Sequence, residues 1–134
     1  MNKQQAINAF WRGFGVLAFE ENSVPDDKAI DALIASGAAA SKFPYITYQV
    51  VTDDYNGVAM ATASIWDRNS SWQTADELSN VIAQAIQNAN TVKLDGGRFF
   101  IVKGSPFAQH MSEDNDPSIR RVVLNVGYHF FTQN

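Results

Sequence analysis

The sequence predicts an α+β fold: an antiparallel β-sheet of hairpins with two or three helices packed on one face. Two pairs of strand-like segments flank short turn sequences, and strands joined by short turns pair antiparallel. Between the two pairs lies an apolar stripe at helical spacing, which needs a sheet face to cover. The 134 residues match a single domain. We divide it into an N-terminal helical segment, residues 1–42, and a sheet-and-helix core, residues 43–132.

The N-terminal segment is predicted to hold two short helices. Ile7, Phe10 and Trp11 recur at helical spacing and define the first helix. The second covers residues 29–34, with Asp26 or Asp27 as its N-cap. A short extended piece separates the two helices, and the small residues after the second helix are expected to form a frayed helix end or a linker.

The first hairpin of the core joins residues 45–52 to residues 58–66. Residues 45–52 are rich in β-branched and aromatic residues, and Asn56-Gly57 favours the positive φ angles of a tight turn. One face of the second strand carries a series of mostly small side chains against which a helix can pack closely: Ala59, Ala61, Ala63 and Ile65.

The central helix is predicted to begin at Thr74, whose hydroxyl can cap the first turn while Glu77 reaches back to form a capping box. An apolar stripe follows at helical spacing, and polar residues occupy the opposite side. The stripe consists of Leu78, Val81, Ile82, Ala85, Ile86 and Ala89.

The C-terminal part of the core predicts a second hairpin, a loop and a final strand. Asp95-Gly96-Gly97 is the turn of the hairpin. Residues 104–118 read as a long polar loop, and residues 119–132 read as the last strand. The apolar face of that strand alternates strictly: Val122, Leu124, Val126, Tyr128 and Phe130.

Composition excludes several classes of protein. The chain has no cysteine, so it has neither a disulfide framework nor a thiolate zinc site. The formal net charge is -4 and the cations are scattered, so no basic face for gripping nucleic acid is visible. No apolar run approaches the roughly 20 residues that span a bilayer, and we expect no membrane contact.

Few residues in the sequence carry chemistry. His110 precedes Glu113, Asp114 and Asp116, and an imidazole with carboxylates in one loop can hold a metal ion. The spacing matches no fixed metal-binding template, so we favour a solvated acidic loop. No nucleophile elbow or phosphate-binding loop is present in the sequence. We therefore expect no enzyme, no catalytic residue, no metal and no cofactor.

The loop predicted over residues 104–118 gives the strongest indication of function. It contains the apolar Phe107 and Met111, and such side chains are typical anchors of protein–protein contacts. Two arginines follow at its exit, and at least one of them should point away from the core. We predict an interface formed by Phe107, His110, Met111, Arg120 and Arg121.

Three stretches of the sequence carry a family resemblance. They are VPDD at 24–27 before FPYITY at 43–48; TASIWDR at 62–68 with SW at 71–72; and KGSPFAQ at 103–109 with MS at 111–112 and IRR at 119–121. In order and spacing they resemble the tail-completion, or tail-terminator, proteins encoded in the head-to-tail joining region of siphophages and prophages of Gram-positive bacteria. The segment 28–42 departs from that pattern.

This resemblance implies a structural virion protein without catalytic residues. Its subunits would form a homo-oligomeric ring, expected to be a hexamer, that ends the tail tube. The ring would contact the tail tube protein and the head connector protein, with DNA only as passing cargo. The five predicted interface residues would then contact a neighbouring subunit or the tail. The protein would be located in the virion tail and assembled in the host cytoplasm.

Three other interpretations stay open at this point. A head-closure or connector protein would belong to the same assembly but contact the portal side. A small metal-dependent hydrolase would use the acidic loop after His110. A monomeric ligand-binding module would use Trp66 and Trp72 as a platform for a sugar or a base.

The favoured interpretation of the acidic loop predicts no tight binding of divalent ions, because no group of ligands in the sequence matches a metal template. Calorimetric titration of the purified protein with zinc, manganese and calcium should give no stoichiometric binding. A micromolar site that disappears in His110→Ala would contradict this expectation and favour the hydrolase.

Overall fold

The computed structural model describes residues 1–52, 58–88, 92–112 and 115–132, and within them it has three α-helices and one six-stranded sheet. A single 3₁₀ turn follows the first helix. In chain order the elements are α1 (Lys3–Trp11), β1 (Leu17–Glu20), α2 (Asp27–Ala35), β2 (Tyr45–Tyr48), β3 (Val58–Arg68), α3 (Gln73–Gln87), β4 (Val92–Leu94), β5 (Gly97–Ser112) and β6 (Ile119–Thr132).

The sheet has the strand order β1-β2-β3-β6-β5-β4, so the last strand of the chain lies near its centre. Four of its strand pairs are antiparallel, as predicted, including both hairpins, β2–β3 and β4–β5. The pair β1–β2 is parallel, which the sequence did not predict. Its connection contains α2, and a connection with a helix can return the chain in the same direction.

The main core lies between the sheet and the helices α1 and α3. The alternating residues of β6 are all fully buried there, as their pattern predicted, and Ala61, Ala63 and Ile65 of β3 are buried beside them. From the helices, Ile7 and Trp11 of α1 and Ala75 and Ile82 of α3 belong to the same cluster. The face of the sheet that carries this cluster is called the helix face below.

A buried polar contact fixes α1 to the sheet. The indole N–H of Trp11 donates to the hydroxyl of Tyr128 over 2.9 Å, and that hydroxyl donates to the backbone carbonyl of Gln49 over 2.8 Å. Burial raises the pKa of Tyr128 well above its ordinary value. Because every polar atom of these two hydrogen bonds has a partner, the contact orients α1 without leaving an unsatisfied group.

The second helix confirms its predicted cap and packs apart from the main core. The side chain of Asp26 accepts a hydrogen bond from the backbone N–H of Ala29 over 2.8 Å, which is N-cap geometry. Ile30 of α2 and Leu17 of β1 are buried, yet both lie outside the main cluster. Two of the three helices therefore serve the main core, rather than all three.

The predicted capping box of α3 is wrong. The helix begins at Gln73, Trp72 occupies the N-cap position, and no side chain caps it. Thr74 therefore lies inside the first turn, where its hydroxyl accepts a weak hydrogen bond from Asn69 at 3.5 Å. Glu77 accepts a hydrogen bond from the side chain of Gln73 instead of reaching back to the cap.

The buried side of α3 is rotated from the predicted stripe. Ser79 is buried in place of Val81, which is 55% exposed, while Ile82 and Ile86 are buried as predicted. Ala89 lies outside the described residues. α3 packs against β3, β5 and β6, and its orientation on these strands sets which side of the helix is buried.

The predicted loop over residues 104–118 is largely strand. β5 continues to Ser112 and pairs with β6, and an irregularity between Lys103 and Ala108 absorbs the residues around Pro106. Proline cannot donate to a ladder, so it is accommodated at a bulge on an edge strand. The second hairpin turns at Gly96, whose φ of 79° suits glycine. The turn predicted at Asn56-Gly57 lies outside the described residues.

The rotation of α3 predicts a large loss of stability for one substitution and a small change for its neighbour. Ile82→Ala should lower the free energy of unfolding by about 2–5 kcal/mol, because it opens a cavity in the main core. Val81→Ala should change it by less than about 0.5 kcal/mol, because the side chain is exposed. Urea denaturation checks both values. Equal losses for the two variants would contradict this orientation of the helix.

Candidate functional site

The side of the sheet opposite the helix face is called the open face. It is formed by alternate residues of β3, β6 and β5, and in the described part of the chain α1 and α3 pack on the other side. Several large apolar side chains stay 43–62% exposed there: Val58, Met60, Met111 and Phe131. Val58, Met60 and Phe131 lie towards one end of this face and Met111 towards the other. Exposed apolar side chains grouped on one face are typical of interaction surfaces.

A row of four side chains crosses the open face close to the N-terminal end of β6. Tyr45, Trp66, Arg121 and Met111 are successive Cα partners on β2, β3, β6 and β5. This set is called the motif row. The rings of Tyr45 and Trp66 stack with centroids 6.3 Å apart, and the Arg121 guanidinium lies 4.6 Å from the centre of the Trp66 ring. The row is therefore continuous from β2 to β6.

Hydrogen bonds hold the members of the motif row in place. The indole N–H of Trp66 donates to the hydroxyl of Thr47 over 2.9 Å, and Nε of Arg121 donates to the hydroxyl of Ser64 over 3.1 Å. Burial raises the pKa of Tyr45, although the nearby Lys42 ammonium acts in the opposite direction. Cation–π contacts of this geometry add to the packing of the row.

The motif row brings together the three stretches that carry the family resemblance. Tyr45 belongs to the first stretch, Trp66 to the second, and Met111 and Arg121 to the third. They meet because β2, β3, β6 and β5 are adjacent in the sheet. Residues scattered along the sequence thus form one continuous surface.

A second cluster lies at the other end of the open face. The rings of Phe100, His129 and Phe131 contact one another, with centroids 4.2–5.3 Å apart. Gly127 sits beside them, and a Cβ at this position would overlap with the side chains of Val58 and Val102. The absence of a side chain at Gly127 therefore lets the apolar residues of this cluster close over the strand.

On the helix face, His110 is held by two partners. Its ring stacks on Trp72 with centroids 3.8 Å apart and planes 3° from parallel. Its Nε2 lies 2.8 Å from Oδ1 of Asp76 in the first turn of α3. This arrangement joins β5 to the start of α3, and half of the histidine side chain stays exposed.

Arg120 fastens the turn that leads into α3. Its guanidinium donates to the backbone carbonyls of Asn69 and Ser70, both over 3.1 Å, and lies 5.4 Å from the centre of the Trp72 ring. Its cross-strand neighbour Asp67 is only 4% exposed, and one carboxylate oxygen has no hydrogen-bond partner among the described atoms. The guanidinium of Arg120 therefore donates to the backbone carbonyls of the turn and not to this carboxylate oxygen of Asp67.

The structure divides the five predicted interface residues between two faces. Met111 and Arg121 lie together on the open face, whereas His110 and Arg120 lie on the helix face. Phe107 is partly buried and packs against the main core. The sequence reasoning missed the partners Tyr45, Trp66, Trp72 and Asp76 as members of these clusters. Only the strand register, which brings distant segments side by side, reveals them.

The described residues form no group that resembles a metal centre. Among them, no three histidine, cysteine or acidic side chains lie together in a way that could hold an ion. Asp116 pairs with Arg68 at 3.2 Å, and the hydroxyl of Ser118 holds its pKa below the ordinary value. Glu113 and Asp114 of the predicted acidic loop lie outside the described residues.

Two further features bear on ligand binding. Trp66 and Trp72 lie on different faces of the sheet, so they form no common platform. A cleft of about 210 Å³ lies between the first helical segment and α3, and its lining consists of apolar residues and one glycine. It lacks the convergent polar side chains that orient a bound small molecule.

No protein-family model matches this chain, and no curated protein sequence matches it either. Within the described residues, the helices are too short or too polar to cross a bilayer.

The contacts of Arg120 predict a measurable loss of stability on its substitution. Arg120→Met keeps the stem of the side chain but leaves two carbonyl acceptors without their charged donor, so unfolding should become easier by about 1–2 kcal/mol. Arg68→Met is the matched control, because its ion pair with Asp116 is solvent-exposed and should matter little. Thermal and urea unfolding would report both. A larger loss for the control would contradict the role assigned to Arg120.

Proposed function

We propose that this protein is a structural virion component of a long-tailed phage, which forms a ring that terminates the tail tube and joins it to the head connector. The motif row is the observation that supports this proposal most. The residues of the family resemblance come from four strands, and Tyr45, Trp66, Arg121 and Met111 lie beside each other on one surface. If this surface has the same role throughout the family, the residues that carry the resemblance are expected to lie together on it.

The way in which the open face is built also supports an assembly role. Met60, Met111 and Phe131 are large apolar side chains that remain about half exposed on the part of the open face formed by β3, β6 and β5. A protein partner would remove this surface from water, and interfaces are enriched in aromatic residues, methionine and arginine. The motif row contains all three types.

The proposed assembly has a defined set of partners. A homo-oligomeric ring, expected to be a hexamer, contacts the tail tube protein on one side and the head connector protein on the other. DNA passes through as cargo. The acidic balance of the chain, with a formal net charge of -4, suits a channel that does not hold phosphates. The protein is assembled in the host cytoplasm and resides in the virion tail.

The test uses two substitutions that place a charge on an exposed apolar residue. Met111→Asp alters the motif row, and Val81→Asp alters the outer side of α3, where the exposure is similar. Each purified variant and, in a separate reaction, the wild-type protein is added to polymerising tail tube protein from the same phage. Electron microscopy then gives the distribution of tube lengths.

Wild type and Val81→Asp should stop tube growth, whereas Met111→Asp should allow tubes to grow on, because a charge cannot be buried cheaply at an interface. Circular dichroism confirms that each variant is folded. Tubes that grow unchecked in the presence of wild-type protein would overturn the proposal, and binding to the portal complex instead would favour a head-closure protein. Equal capping by both variants would remove the motif row from the contact.

A further inference from the structure

Asp67 is a buried carboxylate near the end of β3. It lies two residues after the core residue Ile65, so its side chain points to the helix face. Only 4% of the residue is exposed, and Oδ2 is the one buried side-chain polar atom of the described residues that has no hydrogen-bond partner. Asp67 also forms no ion pair in the described part of the chain. Burial of a polar group without a partner costs free energy, so this oxygen needs a physical explanation.

A cation lies directly across the sheet from this carboxylate. Arg120 of β6 is the Cα partner of Asp67, and opposite residues of an antiparallel pair share a face, with Cβ atoms about 4.5–5.5 Å apart. The long side chain of Arg120 can therefore reach the carboxylate by rotation about its own bonds, without movement of the strands. In the structure its guanidinium instead donates to the backbone carbonyls of Asn69 and Ser70, both over 3.1 Å.

Arg120 is a main attachment of the turn that leads into α3. Besides its two hydrogen bonds, the described structure shows one between this turn and the segment before β6, from the backbone N–H of Asn69 to the carbonyl of Ser118 over 3.1 Å. The helix itself begins after Trp72 and has no side-chain cap. Departure of the guanidinium would therefore leave the turn joined to that segment by a single backbone hydrogen bond.

Arg120 thus has two sets of acceptors within reach and satisfies one of them at a time. Two neutral carbonyls hold the guanidinium at the turn, whereas the carboxylate of Asp67 offers a charge-assisted contact, which is the stronger type for each acceptor. Ser70 is exposed, so its carbonyl can exchange the guanidinium for water at little cost. The two positions of the guanidinium are therefore comparable in free energy.

We propose that Arg120 is a two-position switch, which exchanges between the carbonyls of the turn and the carboxylate of Asp67 and thereby closes or releases the start of α3. In the closed position, seen in the structure, the turn is held and Oδ2 of Asp67 lacks a partner. In the released position the carboxylate is satisfied and the turn is free to move away from β6. An exchange between two arrangements of similar free energy populates the minor one even without a ligand.

The switch lies directly behind the motif row. Trp66 and Arg121 are the next pair of Cα partners along the same two strands. Consecutive residues of a strand face opposite sides of the sheet, so a contact of Arg121 on the open face and the exchange of Arg120 on the helix face involve adjacent residues. A partner at the motif row can therefore bias the switch. This last step rests on the proposed function, whereas the exchange of Arg120 takes place in the free protein.

Hydrogen exchange of the purified protein, measured by NMR, tests the switch. Asp67→Asn keeps the shape of the side chain but removes the charge that holds the released position. A hydrogen bond to a charged group changes a population by about tenfold or more, so the amide of Asn69 should exchange about tenfold more slowly in Asp67→Asn than in the wild type. Amides of the central β3–β6 ladder, which exchange through global unfolding, provide the internal reference.

Asp76→Asn is the matched control. It neutralises another carboxylate at the same end of α3, one that contacts His110 rather than Arg120, and it should not slow the exchange of the Asn69 amide. The same slowing in both variants would overturn the proposal, because it would indicate a general effect of negative charge near the start of the helix.

A second comparison shows whether Asp67 acts through Arg120. The switch is absent from Arg120→Met, so adding Asp67→Asn to this variant should no longer change the exchange of the Asn69 amide. An unchanged exchange rate in Asp67→Asn alone, or a slowing that persists without Arg120, overturns the proposal. Failure of the proposed function is seen separately, as a protein whose Asn69 amide responds to Asp67→Asn but which never caps a tail tube.

Discussion

The structure depends on one constraint, the strict alternation of side chains along β6. Val122, Leu124, Val126, Tyr128 and Phe130 face the helices α1 and α3, so the residues between them face the other way. β6 pairs along most of its length with both β3 and β5. Since cross-strand partners lie on the same face, the side chains of β3 and β5 divide between the same two faces. The packing of α1 and α3, the exposed apolar surface and the motif row all follow from it. A one-residue change of register would exchange the two faces.

The same division separates the residues that the sequence predicted as an interface. On the helix face, His110 and Arg120 are occupied by Trp72, Asp76 and the turn before α3. On the open face, the cation of Arg121 lies against an aromatic ring between apolar neighbours.

The sequence predicted those parts of the fold that depend on local patterns: the alternation of β6, both hairpin pairings and the Asp26 cap. It did not predict the parts that depend on distant contacts. The burial of Ser79 in place of Val81 depends on how α3 lies on the sheet, and the parallel pairing of β1 depends on the path of the chain through α2. The strand beyond Pro106 was not predicted, because proline normally interrupts a strand. For the site, single residues were identified, but their neighbours follow only from the strand register.

The central claim is that this chain acts as a closed ring of identical subunits. Native mass spectrometry of the purified protein over a range of concentrations tests it most directly, because a closed ring has one fixed copy number. The account predicts monomers in equilibrium with a single large species, expected to contain six copies. A monomer at every concentration up to the solubility limit, or a continuous series of ever longer oligomers, would contradict the claim.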